Sequence, residues 1–535
     1  MAAPPASARR SRSRLGLPPP RGRGPVWAWM VAVVVLGPAT ATLVWMVVAN
    51  VGRASGALEA IGVARTLELL ANTLGLAAAT TATALIIGLG GAWVTTRTDL
   101  AGRRVWTVLL ALPLIFPSYV GALALVGAFG PEGIVSGAFG LGVGRPGGFW
   151  GSWAALSLFN APYAFLLGAV ALRRMDPALE EAARSLGLGP SATFVRVVLP
   201  QLRPTMAAAG LLVALYTIAD FGAVSFMGFD TFTRAIYSRF RIGDIESAIA
   251  IAAVLVVIAV LLLLVVRDAR RTHTPVATPD RPPTPIALGT WGRVGAVAGL
   301  ATVVTLSVIL PIVVLVGWTL RGASAATIGD LWSATLGSLA VAAPAGVATA
   351  LVAVPVALLV VRHPNRSSMA LDRVQWGLYS LPHLAVALAL LVFALQVARP
   401  LYQTIPLLVL AFVTMFLPQA TGSLADGLHA ISPRLEESAR SLGRGPVGAF
   451  VGVTAPLIRP HLVTGALLVF LTTMKELPAT LLLRPTGLDT LSVRIWSAVE
   501  EGFLGRASAA SLILLAVSAI PMYLLSTRDL RAGTR

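Results

Sequence analysis

The sequence predicts an all-α polytopic membrane protein, with twelve transmembrane helices arranged as two parallel-related six-helix halves. Three observations carry that prediction. The 535 residues are 56% hydrophobic and only 12% charged, with a mean hydropathy of +0.82. That is too little charge for a water-soluble surface and too much apolar content for a disordered chain. Twelve segments reach the roughly 20 residues needed to cross a bilayer core. One loop motif occurs twice, 256 residues apart, so the chain is a duplication.

Composition closes off several functions. No cysteine is present, which excludes disulfides, Cys-ligated zinc, iron–sulfur clusters and thiol catalysis. The 5 histidines never fall at the i, i+4 spacing of a helix-borne metal pair. A membrane enzyme would need acid, base or metal clusters facing one surface, and the carboxylates are scattered.

In chain order the uncharged spans are Val26–Val51, Leu69–Thr96, Val105–Pro131, Pro146–Leu172, Ser247–Val266, Val294–Leu320, Leu331–Val361, Val374–Ala398, Pro400–Ala425 and Ala507–Thr527. Two more, Pro204–Phe229 and Pro460–Leu483, are interrupted by Asp220 and by Lys475-Glu476. Prolines inside several spans (Pro113, Pro117, Pro355, Pro382, Pro418) are better tolerated in membrane helices than in soluble ones. The first apolar run is too long for a signal-peptide core and lacks a small-residue cleavage site, so it counts as a span. Of the 41 basic residues, 29 fall with the N-terminal arm, the even-to-odd loops, the central linker and the tail, while the 23 acidic residues divide 11 to 12 between the two sides. The positive-inside rule then places both termini in the cytoplasm. The net charge of +18 is therefore topological, and no nucleic-acid partner is needed to explain it.

The parts are a basic arm (1–25), a first six-helix half (26–266), a Pro-rich cytoplasmic linker (267–293), a second half (294–527) and a cytoplasmic tail (528–535). The linker contains THTPVATPDRPPTP (Thr272–Pro285), with five prolines in 14 residues, a density that favours extended, solvated backbone. LEEAARSLGLGP from Leu179 matches LEESARSLGRGP from Leu435 at the 256 offset. PSYVGALAL from Pro117 matches PHLAVALAL from Pro382 at an offset of 265, and Arg97 matches Arg362 at the same 265. The difference falls in the interval that holds the glycine-rich loop Gly137–Gly151. With six spans each, the halves run parallel about an axis along the membrane normal, and a substrate path between them follows.

The densest signal lies between the fourth and fifth spans of each half. Asp176-Pro177 and Ser432-Pro433 supply the cap and first-turn proline of a short helix. Glu180-Glu181 and Glu436-Glu437 fall in its first turn, at the positive end of the helix dipole. Gly187 and Gly443 suit a left-handed C-terminal cap, and Pro190 and Pro446 bar continuation. Each loop is predicted to be a sharply bounded surface helix whose small residues admit a partner closely and whose charges orient it. A helix lying on lipid would instead show large apolar and aromatic residues. Two copies of the loop call for two copies of a partner.

These loops resemble those of the permease subunits of binding-protein-dependent ABC importers, whose pattern is E-A-A-x3-G-x9-I-x-L-P. Glu181, Ala182, Ala183, Gly187 and Pro200 match it with Val197 for Ile. Glu437, Ser438, Ala439, Gly443 and Pro456 match with Ser438 for Ala and Ala455 for Leu, which makes the two contacts unequal. The resemblance implies the type I permease fold, two copies of a cytoplasmic ATP-binding-cassette ATPase docked on these loops, and an extracytoplasmic substrate-binding protein. It also implies a multi-pass location in the lipid bilayer of a bacterial plasma (inner) membrane. ATP and Mg would be bound on the partner subunits and no cofactor on this chain. Within the family the fused halves look most like ferric-iron importer permeases, through Asp220–Tyr237 and Lys475–Trp496; fused thiamine permeases share the architecture. The chain has no G-x-x-x-x-G-K-[ST] loop, and its one lysine, Lys475, follows Thr472-Thr473-Met474. A twelve-span secondary transporter is the competing class, suggested by Asp99 to Arg104 between the second and third spans. That class leaves the duplicated loop unexplained.

Asp220 and Glu476 are related by the 256 offset. Ionisable groups inside a membrane usually face a polar path or the bundle interior. One reading places them as an acidic pair lining the outer vestibule of the translocation path for a cation. The other has each neutralised structurally, Glu476 by the adjacent Lys475. No resident metal site is assigned.

Overall fold

A computed structural model describes residues 24–52, 62–131, 133–139, 144, 146–270, 285–322 and 328–532. The basic arm up to residue 23, linker residues 271–284, residues 140–143 and 145 of the glycine-rich loop and the last three residues of the tail lie outside the described residues. Among the described residues, eleven helices are long and apolar enough to cross a membrane, and one bent pair brings the total to twelve. The architecture is all-α and two-halved, as the sequence predicts.

Four predicted spans end or break where side chains dictate. In place of a continuous Val105–Pro131, the chain forms Arg103–Ala111, a 3₁₀ turn at Leu112–Ile115, and Ser118–Phe129. In place of Val374–Ala398, Arg366–Ser380 meets His383–Gln396 at a bend of 109°. The breaks fall at Phe116-Pro117 and Leu381-Pro382, where a proline pushes the residue before it into extended backbone. The two fifth spans also stop short of Phe229 and Leu483. Leu199–Ala219 ends at Asp220 and Ala455–Met474 at Lys475, and a short helix follows each (Gly222–Phe226, Pro478–Leu483).

Among the described residues, three helices contain one π turn: Phe194–Val198, Thr305–Ile309 and Phe450–Thr454. Each is followed by one residue and then a proline, at Pro200, Pro311 and Pro456. A helical proline lacks the N–H donor and crowds the carbonyl a turn earlier; the wider π turn takes up both. The first and third π turns feed the fifth span of each half.

The halves embrace by exchanging their first helices. Val26–Gly52 packs on its own sixth span and on His383–Gln396 of the second half, and Thr414 of Ile405–Ala430 donates to the Val35 carbonyl at 2.9 Å. Leu310–Arg321 packs reciprocally on Ser118–Phe129, where the Trp318 indole donates to the Gly127 carbonyl at 3.0 Å. Within the first half, Val63–Arg97 and Gly148–Arg174 pack closely at Gly88. A Cβ there would lie 2.6 Å from the Ala161 carbonyl oxygen and from the Phe165 nitrogen.

That contact is rigid backbone, so Gly88→Val is expected to cost about 1–3 kcal/mol, read as a lower thermal midpoint of the detergent-solubilised protein. Gly90→Val, on the same helix with nothing within 4 Å of its Cβ position, should leave the midpoint unchanged.

Candidate functional site

Both predicted loop helices are present and built alike. Pro177–Ser185 is capped by the Asp176 carboxylate accepting from the Ala178 N–H, and Pro433–Ser441 by the Ser432 hydroxyl accepting from the Arg434 N–H. Gly187 and Gly443 take φ of 84° and 87°. Each donates its N–H to a carbonyl three residues back (Arg184, Arg440), and the next residue donates five back (Ala183, Ala439). This paired closure requires a left-handed residue, which glycine adopts without strain. Pro190 and Pro446 then open the next helix at its first turn.

Glu181, Ala182, Glu437 and Ser438 are exposed, while Ala183 and Ala439 face inward. Beside the small residues stand apolar side chains the sequence reading passed over. Leu186 and Leu442 are 83% and 85% exposed, and Leu179 and Leu435 about half exposed. Leu179, Ala182 and Leu186 lie at i, i+3 and i+7, one helix face, and Leu435, Ser438 and Leu442 repeat it. That spacing was available in the sequence. Pro200 and Pro456 lie beyond the π turns, at the start of the fifth spans, and not on this face.

The two helices are fastened differently. Glu180 is buried and ion-paired with Arg97, the last residue of Val63–Arg97, which is 2% exposed. The Arg97 guanidinium also lies over the Trp93 ring, 5.6 Å from its centroid. Its counterpart Arg362 donates instead to the Ile431 carbonyl at 3.0 Å, just before the second cap. Glu436 accepts from the Thr454 hydroxyl, where the first half has Val198. The dipole position explains why carboxylates sit here, but partners decide what each one holds.

The end of the linker closes over the first fastening. Ile286 donates to the Arg97 carbonyl at 2.8 Å and accepts from the Asp99 N–H at 3.1 Å. The Leu288 N–H, with Arg293 beside it, holds the Asp99 carboxyl below its usual value. A cavity of about 300 Å³ lies between, lined by Trp93, Glu180, Arg184, Phe194 and Ile286.

At the far ends of the fifth spans, Asp220 accepts from Ser118 and from the Ala223 and Val224 N–H groups, the latter two at 2.9 and 3.3 Å. Glu476 meets His383 Nδ1 at 3.1 Å and accepts from the Ala479 N–H at 3.3 Å. Ser118 and His383 are themselves equivalent positions. Lys475 is not the partner of Glu476: its ammonium donates to the Leu114 carbonyl of the other half at 2.9 Å. Asp220 keeps some accessible surface, whereas Glu476 is 7% exposed. Beyond them Trp496 packs on Phe221, Phe226 and Tyr237, with centroids 4.8 to 5.6 Å apart. The halves thus meet in aromatic contact at the end away from the loop helices. Among the described residues, no group of three His, Cys, Asp or Glu could hold a metal.

A two-halved helical membrane protein with a duplicated capped loop defines a transport permease. Residues 84–270 and 344–528 each match the model of the binding-protein-dependent transport system inner membrane component, and the chain belongs to that family. It is therefore a multi-pass permease that works with an ATPase and a substrate-binding protein. It is 31% identical to an Fe(3+)-transport system permease protein of Haemophilus influenzae over 468 residues, 86% of this chain and 90% of the relative. A ferric transport system permease protein of Actinobacillus pleuropneumoniae is 23% identical over 84% of this chain and 69% of the relative. A putative 2-aminoethylphosphonate transport system permease protein of Salmonella paratyphi A is 28% identical over 41% of this chain and 83% of itself.

Removing Arg97 leaves the buried Glu180 carboxylate only the half-exposed Arg184 at 3.6 Å, whereas removing Arg362 frees only a carbonyl. Arg97→Ala is expected to destabilise the first loop by about 3–5 kcal/mol and Arg362→Ala the second by about 1–3 kcal/mol. Hydrogen exchange over Pro177–Ser185 and Pro433–Ser441 measures both.

Proposed function

We propose that this chain forms the translocation path of an ATP-driven importer of ferric iron, with two copies of an ATPase gripping the two loop helices from the cytoplasm. The observation that carries the reading is the repeated outward face, Leu179–Ala182–Leu186 and Leu435–Ser438–Leu442. Small residues let a groove approach, the leucines fill it, and Glu181 and Glu437 orient it. The names of the two long relatives supply the substrate class. ATP hydrolysis belongs to the partners, both termini are cytoplasmic, and a binding protein delivers iron at the opposite face.

Coupling follows from how the loops are tied. A displacement of the first helix pulls on the second span through Glu180 and Arg97, and on the fifth span through the π turn at Phe194–Val198. The second helix pulls on its own pair of spans through Arg362 and the turn at Phe450–Thr454. Closing the ATPases then rocks the halves about their shared axis and opens the aromatic contact around Trp496, a rigid-body two-state transition. Asp220, with surface to spare, is the acid an entering cation meets first, and His383 shields Glu476.

Glu181→Lys with Glu437→Lys should abolish co-purification of the ATPase while leaving the chain inserted; undiminished co-purification rejects docking there. In vesicles the complete importer should concentrate radioiron only with ATP, and this chain alone should move nothing uphill. Accumulation of 2-aminoethylphosphonate or thiamine in place of iron would reassign the substrate.

A further inference from the structure

Halfway through the membrane the two halves meet in polar side chains. Tyr163 and Tyr216 stack with ring centroids 4.6 Å apart and planes 11° from parallel. The Tyr216 and Tyr379 hydroxyls lie 3.2 Å apart, Gln419 donates to the Tyr379 hydroxyl at 3.3 Å, and Thr472 donates to Gln419 at 3.0 Å. Gln419 and Thr472 stand 256 residues after Tyr163 and Tyr216, the offset that relates the halves at the loops. Equivalent residues of a two-fold arrangement can approach one another only near its axis, so this belt marks the axis and the path along it. Tyr163 is 11 residues from the end of its helix at Arg174, about 16 Å of rise, or half the roughly 30 Å hydrocarbon core.

Three of the seven tyrosines in the chain converge here. All five belt side chains retain partial exposure, although most of their neighbours on the tenth span are fully buried. Tyr216 also lies four residues before Asp220, so one of the phenols and the acid follow one another along the fifth span. The ammonium of Lys475, one turn beyond Thr472, is turned to the Leu114 carbonyl.

We propose that Tyr163, Tyr216 and Tyr379 form a transient binding site for a trivalent hard cation in the translocation path. The assignment rests on the ferric reading above. Hard cations prefer oxygen donors and bind them at about 2 Å, so oxygens 3.2 Å apart subtend roughly a right angle at such an ion. Three phenolates also cancel the charge of a trivalent ion, which removes most of the cost of holding it in a low-dielectric bundle. The step is ligand exchange without oxidation or reduction. Each phenol forms one oxygen–metal bond and releases one proton, three per ion, to the ligand that the ion leaves or to water. Gln419 and Thr472 hold the Tyr379 hydroxyl in place between ions.

The test uses the full-length chain in lipid nanodiscs with ferric nitrilotriacetate as probe. Phenolate bound to ferric iron gives a visible charge-transfer absorption that saturates with added iron. The unmodified chain should show it. Tyr163→Phe/Tyr216→Phe/Tyr379→Phe, which keeps the rings and their packing, should lose it together with the saturable iron binding. Tyr402→Phe/Tyr523→Phe should keep it. In the assembled importer the triple variant should retain the ATPase and lose radioiron uptake by at least about tenfold. No absorption from the unmodified chain, or full uptake by the triple variant, overturns the site while ferric transport itself stands. Absence of ferric uptake by the unmodified importer overturns the transport reading, and the absorption assay then decides the site by itself.

Discussion

A backbone broken inside a bilayer has no water to turn to, so the groups freed at the break must be satisfied by the protein. Both fifth spans break at the same place, and both breaks close on a carboxylate. Asp220 takes the first N–H groups of Gly222–Phe226 and the Ser118 hydroxyl. Its own carbonyl accepts from Thr233 at 2.6 Å. Glu476 repeats this with Ala479, His383, Thr480 and Ser492. Each acid therefore binds the broken third span, the fifth span and the helix after it into one knot. Beyond the knots, Trp496 of the second half meets Phe221, Phe226 and Tyr237 of the first.

The opposite ends of the same spans lead into the loop helices. A π turn and a proline mark where each fifth span leaves its loop helix, and an arginine from the second or eighth span steadies the loop. The duplication is not a copy in energy. Arg97 and Glu180 form a charged pair shut away under the linker end, whereas Arg362 holds a carbonyl and Glu436 takes a threonine hydroxyl. A buried pair resists the loss of either partner far more than a neutral hydrogen bond does. The first loop is accordingly held by the stronger contact.

What could be read from residues alone was whatever depends on nearby residues. Span count follows from length and apolarity, the loop helices from caps and glycines, and the two-fold arrangement from a repeated spacing. Composition does not decide the outcome where two apolar stretches meet at a proline. Val105–Pro131 and Val374–Ala398 have the composition of single spans, and only packing against neighbours decides whether the break at Pro117 or Pro382 kinks a helix or turns it by 109°. Adjacent charges misled in the same way. Lys475 and Glu476 are neighbours in the chain, yet both lie in the break after Met474, and each finds its partner elsewhere.

The sequence by itself determined the class of this protein, the number of its apolar spans and the positions of its two capped loop helices. These rest on helical period, bilayer thickness and capping chemistry, all of which act within a few turns. Tertiary structure alone decided that Arg97 holds Glu180, that Lys475 crosses to Leu114, and that three tyrosines gather on the axis. Those contacts join residues from about 50 to 360 positions apart, and it is the packing of the whole bundle that brings them within reach.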